Sequence, residues 1–248
     1  MSILRRPATT VAAEGADEIS ALKERYARRH DDSSWRYNPL NPAVLLATQE
    51  RQRAMAKLFV SLGWANLAEV RLLEVGCGTG CNLLEFLRLG FTPEHLQGIE
   101  LLTACVERAR RDLPAAVRIT LGDAAASGTV VPEGSQDIVY QATVFSSLLD
   151  DAFQQRLADQ MWRWVRPGGG ILWYDFTVNN PGNRDVRGVP ITRIRHLFPS
   201  GNIRMARRLT LVPPLARVVA EIHPKIYAAC NTCTWLRTHV LAWIEKPN

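Results

Sequence analysis

The stretch Leu72-Leu73-Glu74-Val75-Gly76-Cys77-Gly78-Thr79-Gly80 constrains this chain more than any other. Apolar residues around a single acid predict a buried strand, the glycines a tight turn, and Leu83, Leu84, Phe86 and Leu87 a helix directly behind it. Such a junction gathers backbone N–H groups and the positive end of a helix dipole at one point, where the missing side chains let a ligand approach the backbone. That is the arrangement of a nucleotide-type site; a glycine turn without a ligand is the plain alternative. Spacing separates two kinds of site. The dinucleotide fingerprint G-x-G-x-x-G/A wants a small residue at its sixth position, which counted from Gly76 is Cys81. Here the third glycine arrives one residue early, giving E-x-G-x-G-x-G with Glu74 two places before the first glycine.

Around this stretch, strands and helices alternate. Strands are expected at Arg71–Val75, Leu96–Glu100, Val117–Leu121, Asp137–Tyr140, Ile171–Phe176, Arg207–Leu211 and His239–Glu245. Helices are expected from Cys81, over Thr103–Arg111 and Asp150–Val165, and in a short piece at Ile191–Leu197. Arg166-Pro167-Gly168-Gly169-Gly170 reads as a break before strand five. Alternation of this kind predicts an α/β fold, a doubly wound, mostly parallel seven-stranded sheet covered on both faces. Ahead of it, residues 1–17 read as a mobile tail and 18–66 as a helical cap with helices at Asp17–Arg29 and Ala43–Leu62. The main domain is then 67–248, interrupted at about 212–238 by an insertion with a helical pattern at Leu215, Val218, Val219, Ile222 and Ile226. With the N-terminal helices, this insertion is expected to cover an acceptor pocket or, equally, to make a homo-oligomer contact.

The chain has 248 residues, 47% of them hydrophobic, enough for one sizeable core. No signal peptide is expected from Met1 to Pro7, and no apolar run approaches the roughly 18 residues of a membrane span, so a cytoplasmic protein without a membrane span is expected. Five cysteines argue against a disulfide framework, and the lone Cys230-Asn231-Thr232-Cys233 reads as helix-end thiols before it reads as a zinc site. The formal charge of +6 is carried mostly by arginine. Between Arg184 and Arg217 eight arginines face a single acid, Asp185, which suits either an anion receiver or a solvated basic face.

Glu100 ends the second strand twenty residues after Gly80, where an acid can accept ribose hydroxyls, with Leu101 beside it. Together with Gly122-Asp123-Ala124, Gln141-Ala142-Thr143 and Arg166-Pro167-Gly168-Gly169, the glycine stretch resembles the ordered motifs of class I, Rossmann-like S-adenosylmethionine (SAM) methyltransferases, over about Leu72 to Phe176. Further likeness at Thr143–Ser147, Trp173–Phe176, Asn179–Pro181, Val186–Gly188 and Leu236–His239 is to bacterial members associated with polysaccharide or secondary-metabolite clusters. The resemblance implies SAM as cofactor, held by Glu74, Gly76, Gly78, Gly80, Glu100, Leu101, Asp123, Ala124 and Gln141. It places Asp123 at the adenine amino group and Gln141 where the methionine end meets the acceptor. Gln141-Ala142-Thr143-Val144 lacks the [DNS]-P-P-[YF] pattern of amino-methylating enzymes, the Pro-Cys of RNA cytosine methylases and the aspartate of magnesium-dependent catechol-type enzymes. No metal is expected. Nor do Lys23, Lys57, Lys225 and Lys246 suggest the lysine-rich tetrad of ribose methyltransferases.

The expected activity is therefore SAM-dependent O-methylation of a small acceptor, anionic or sugar-containing, with nucleic acid disfavoured as a partner. The competing reading is a SAM-fold binding protein without catalysis, or an RNA-binding or RNA-modifying protein using the arginine-rich segment 184–217. For catalysis, His196 is expected to take the hydroxyl proton, since histidine titrates near neutral pH and this one follows strand five. Asp175, at the end of that strand, is expected to orient the acceptor; a half-exposed helix residue is the bland reading of His196.

Overall fold

The computed structural model describes residues 18–27, 35–126, 131–180 and 182–248. The tail expected over 1–17 lies outside them. Seven strands form one sheet: β1 (Leu72–Val75), β2 (Leu96–Glu100), β3 (Arg118–Leu121), β4 (Gln136–Ala142), β5 (Val165–Phe176), β6 (Asn202–Leu211) and β7 (Arg237–Glu245), in the spatial order β3-β2-β1-β4-β5-β7-β6. The first five strands are parallel, and β7 enters antiparallel between β5 and β6. Strand order reverses between β1 and β4, each a direct neighbour of the other, which opens a crevice at their carboxyl ends.

Both faces of the central strands are buried, so their sequences are near-continuous apolar runs. On one face Leu72, Tyr140, Leu172 and Trp243 pack under α2 (Pro42–Ser61) and α3 (Cys81–Arg88). On the other, Leu73, Val139, Ile171 and Trp173 meet α5 (Asp151–Trp164) and α6 (Ile191–Leu197). α4 (Thr103–Asp112) covers the β2–β3 end through Val106 and Ala109. Helix ends follow the capping chemistry of the sequence. The Asn41 side chain accepts the Ala43 amide ahead of Pro42, and Asp150 accepts the Phe153 amide at the head of α5.

Helical backbone over 18–27 (α1) lays Ile19 and Leu22 on the α5 side, while α2 lies on the opposite face. The segment 212–238 consists of α7 (Pro213–Ile222), α8 (Pro224–Thr232) and a short 3-10 turn at Thr234–Leu236. It rises from the carboxyl edge, because β6 ends at Leu211 opposite Arg237 while Phe176, the end of β5, pairs with His239. Ala216, Val219 and Ala220 of α7 form a small core with Ala43 at the head of α2.

Several boundaries differ from the sequence reading. β4 runs to Ala142 and β6 begins at Asn202, because pairing with a neighbour extends a strand past its apolar residues. Arg166–Gly170, expected as a break before strand five, falls inside β5 as an irregularity: Gly168 stands at φ +73° and the register against β4 jumps from Gln136–Val165 to Ile138–Gly170. Among the described residues no helix is long and apolar enough to cross a membrane.

Candidate active site

The glycine turn is fixed by its neighbours as much as by its own sequence. Gly76, Gly78 and Gly80 all have positive φ, at +65°, +54° and +84°. A Cβ at Gly76 would lie 2.6 Å from Val144 Cγ2, and one at Gly80 would lie 2.6 Å from Leu113 Cδ1. At Gly78 nothing lies within 4 Å of the Cβ position. Two glycines are thus demanded by packing and the middle one faces open space, which is where a ligand can reach the backbone.

Glu100 ties this turn to the end of β2. Its Oε2 accepts the Gly78 amide at 2.9 Å, and its Oε1 accepts the amides of Leu101 and Leu102 at 2.8 and 2.9 Å. A carboxylate has about four acceptor positions, so about one is left for a ligand hydroxyl. Asp123, half-buried after β3, spends Oδ1 on the Ala125 amide at 2.8 Å, and burial pushes its carboxyl pKa up. Ala124 is buried beside it and packs with Ile99 and Leu73. Glu100, Leu101, Asp123 and Ala124 therefore gather with the glycine turn along the carboxyl ends of β1, β2 and β3.

Glu74 lies beneath the turn, fully buried. Its Oε1 accepts from Asn82 Nδ2 at 2.6 Å; Asn82 Oδ1 in turn accepts from Arg51 Nη2 at 2.8 Å, and Arg51 pairs with Glu85 at 3.1 Å. Burial pushes the Glu74 pKa up to about 8, against the opposing hydrogen bond from Asn82 and the charge of Arg51. Arg51 also sits 5.2 Å over the Tyr174 ring. Glu74 Oε2, Tyr140 Oη and Arg51 Nε are buried with no hydrogen-bond partner among the described residues. Asn82, Arg51 and Tyr174 were missed in the sequence. Arg51 had a signal: it shares a helical stripe with Ala54, Met55 and Leu58, all buried.

After β4 the loop is held from below. Gln141 is fully buried; its Oε1 accepts the Val144 amide at 3.0 Å and its Nε2 reaches Tyr174 O at 3.4 Å, so both ends of the side chain serve the turn. Thr143 stands at φ 57°, unusual for a β-branched residue. Its amide donates to Tyr174 O at 2.8 Å, and its carbonyl accepts from the hydroxyls of Ser146 and Ser147. Strain of this kind persists only where several contacts over-determine it, and it places Val144 against Gly76.

Asp175 is fully buried under the same loop. Its Oδ2 accepts the Ser146 amide at 3.1 Å and its Oδ1 the Phe176 amide at 2.8 Å. Burial raises its pKa to about 6, with the hydrogen bonds from Ser146 and Phe176 opposing. In this geometry both carboxylate oxygens clamp backbone amides. His196 is not brought to it. The chain enters α6 from Val189, whose amide donates to Phe176 O, and leaves it shortly before Asn202, which pairs with Glu245 at the opposite edge of the sheet. His196 is exposed in the last turn. The histidine at the carboxyl edge is His239, buried, stacked on Tyr174 with ring centroids 4.9 Å apart, and held through Nδ1 to Thr238 Oγ1 at 3.0 Å. Burial and then Arg51 lower its pKa to about 3, so it is neutral near pH 7 and a weak base.

The N-terminal cap reaches this edge from both faces. Arg25 of α1 donates to Ser147 O at 3.1 Å and pairs with Glu18 at 2.7 Å, while Glu18 Oε1 accepts the Leu149 amide. From α2, Glu50 accepts the Thr210 amide at 3.0 Å, and the Thr210 hydroxyl meets the Tyr174 hydroxyl at 2.6 Å. Of the arginines between 184 and 217, Arg187 and Arg193 reach Asp151 and Arg204 pairs with Glu245, so the segment is partly a paired surface.

This edge, with its switch point, bare glycine and strand-end acids, is that of a Rossmann-like α/β fold. Residues 72–169 match the model of a methyltransferase domain. Over that stretch the chain is similar to methyltransferase domains, and its structural neighbours include SAM-dependent methyltransferases. A SAM-dependent methyltransferase from Mesorhizobium loti superposes with a TM-score of 0.57 at 16% identity, covering 81% of this chain and 98% of that one. Geranyl diphosphate C-methyltransferase from Streptomyces coelicolor A3(2), solved with Mg2+, geranyl diphosphate and S-adenosyl-L-homocysteine, gives 0.54 at 14% identity, covering 77% and 76%. In sequence, 111 residues are 30% identical to the tRNA N(3)-methylcytidine methyltransferase Mettl2 of Drosophila melanogaster, covering 42% of this chain and 34% of that protein's length.

Proposed function

We propose that this protein methylates a hydroxyl of a small acceptor, anionic or sugar-containing, with SAM as methyl donor. The donor supplies an activated methyl on a sulfonium centre, so catalysis rests largely on positioning and on keeping water out. The observation that carries the cofactor reading is the pair Gly78 and Glu100: an unobstructed glycine whose amide is held by a strand-end carboxylate with acceptor capacity left. In this reading Glu100 takes a ribose hydroxyl, the Leu101 side chain and Asp123 with Ala124 border the adenine, and Gly76 and Gly80 shape the turn. Glu74 and Gln141 act from beneath, Glu74 through Asn82 and Gln141 through the Val144 amide. Metal independence is part of the proposal, because Gln141 brings no charge to the end of β4.

The acceptor is assigned to the region above β4 and β5, between α1 and the α2–α7 pair. Asp175 orients it indirectly, by fixing the loop at Ser146. A second reading, methylation of a nucleic-acid base, is favoured by one observation, the partial likeness to a tRNA methyltransferase. Incubating the full chain with isotopically labelled SAM, once with a fractionated metabolite extract and once with total tRNA, tests both. Label in a small product at an oxygen supports the proposal. Label in a tRNA nucleoside replaces it with the second reading.

A further inference from the structure

A cleft of ≈ 240 Å³ lies between α2, α8 and the edge strand β6, on the far side of α2 from the glycine turn. Its walls carry Arg53, Lys57, Arg207 and Arg237 against one acid, Glu50. That acid is already engaged with the Thr210 amide. Arg237 is fixed by the carbonyls of Asn231 and Arg208, at 2.8 and 3.0 Å, which orient the guanidinium without neutralising it. Arg53, Lys57 and Arg207 have no ion pair among the described residues, whereas Arg187, Arg193 and Arg204, outside the cleft, each have a carboxylate partner. The buried Tyr227 also lines the recess.

Several like charges around one recess repel each other, and an anion with several acceptor oxygens relieves that repulsion. Arginine forks match such oxygens in pairs, and a lysine supplies a point charge. The size of the recess narrows the class. It falls below the roughly 300 to 1,000 Å³ of sites for drug-sized ligands, and its basic groups surround one half-open recess instead of lining a long groove that tracks a polynucleotide backbone. We propose that this cleft binds the phosphate or diphosphate group of a small phosphorylated molecule. The cleft and the glycine turn use different faces of α2, Glu50 pointing to one and Arg51 to the other, so the proposal does not depend on which acceptor is methylated.

Calorimetry on the full chain at low ionic strength, with pyrophosphate, inorganic phosphate and glucose 1-phosphate as separate probes, tests it. Binding of at least one probe is expected, weakened about tenfold or more in an Arg53→Gln/Arg207→Gln variant and retained in Lys57→Arg. Arg204→Gln removes a charge from the same strand outside the cleft and is expected to leave that binding unchanged. S-adenosylhomocysteine affinity, measured in parallel, is expected to be equal in all four proteins, which keeps the phosphate site separable from the cofactor reading. Tighter binding of the sugar phosphate than of the inorganic ions assigns the site to a phosphate ester, and the reverse order assigns it to the free ion. No binding of any probe overturns the proposal, as does an equal loss in Arg204→Gln. Binding of an RNA oligonucleotide that depends on Arg53 and Arg207, with none of the small probes bound, overturns it in favour of a nucleic-acid surface.

Discussion

The two halves of the carboxyl edge are built by different means. On the β1–β3 side, the turn at Gly76–Gly80 is held by backbone amides and one strand-end acid, all within about thirty residues of sequence. On the β4–β7 side, the loop after β4 is held by side chains from far along the chain, Arg25 and Glu18 from α1 and Asp175 from β5, while Glu50 of α2 holds Thr210 near the end of β6. A local device can accept only ligands with a fixed backbone-facing part. The assembled one can be retuned by changing any of several separate segments, which suits the side that meets a variable acceptor.

The contact between the halves, Gly76 against Val144, is where the largest effect is expected. Gly76→Val places branched carbon where Val144 already sits and forces a β-branched residue to positive φ, and should lower stability by about 3 kcal/mol or more. Gly78→Ala meets no neighbour, so its stability loss should be only about 1 to 2 kcal/mol from backbone strain. Its S-adenosylhomocysteine affinity should nevertheless fall by roughly tenfold or more, equivalent to about 1.4 kcal/mol. Thermal unfolding and calorimetry on the two variants separate packing from ligand approach. Equal stability losses would show that the two glycines do not differ as the geometry requires.

A pH titration tests the polar layer that joins the halves. Glu74 has its pKa raised from 4.5 to about 8, so the folded state holds a proton that the unfolded chain releases. Stability from this group is therefore full below about pH 4.5 and falls as pH rises towards 8, by on the order of 5 kcal/mol. Glu74→Gln keeps an acceptor for Asn82 and cannot ionise, so its denaturant midpoint should lose less between pH 5 and 8 than the wild type does. An unchanged slope would mean that Arg51 and Asn82 already keep the carboxylate ionised.

On the cofactor side alone, Glu100→Gln should weaken S-adenosylhomocysteine by about 2 kcal/mol, the scale of hydrogen bonds to a charged acceptor. The amide can still receive from Gly78 or Leu101 but cannot serve all three backbone donors. Affinity unchanged by calorimetry would remove Glu100 from the ribose.

Legibility in the sequence follows the same division. Strand and helix positions from Leu72 to Phe176 were readable because apolar runs and glycine punctuation are local signals, and Glu100 was readable because a strand end twenty residues on has a defined place in the sheet. The insertion was readable as helical from its spacing, and its attachment to the head of α2 was not. Gln141, Asp175 and Arg51 were not assigned the partners they have, since a hydrogen bond between residues about thirty apart leaves no periodic trace. Ends of β4 and β6 were misplaced because polar residues are carried along by the ladder.

The smallest effect concerns the base, and it decides whether the assembled half needs one. His196→Ala removes an exposed ring from the last turn of α6. The five helical steps from Ile191 to His196, at about 1.5 Å each, carry the chain roughly 8 Å along α6 from its start after Val189. A general base must come within hydrogen-bond reach of the proton that it takes, directly or through one water. The expected change in turnover is therefore within about twofold, the range of a surface substitution of some 0.5 kcal/mol. His239, its pKa lowered to about 3 and its ring enclosed by Tyr174 and Phe176, is too weak a base to take its place, so turnover should show no histidine titration between pH 6 and 8. A loss of roughly 10² in His196→Ala with unchanged S-adenosylhomocysteine affinity would reverse this, and would require α6 to move its last turn to the carboxyl edge when the acceptor binds.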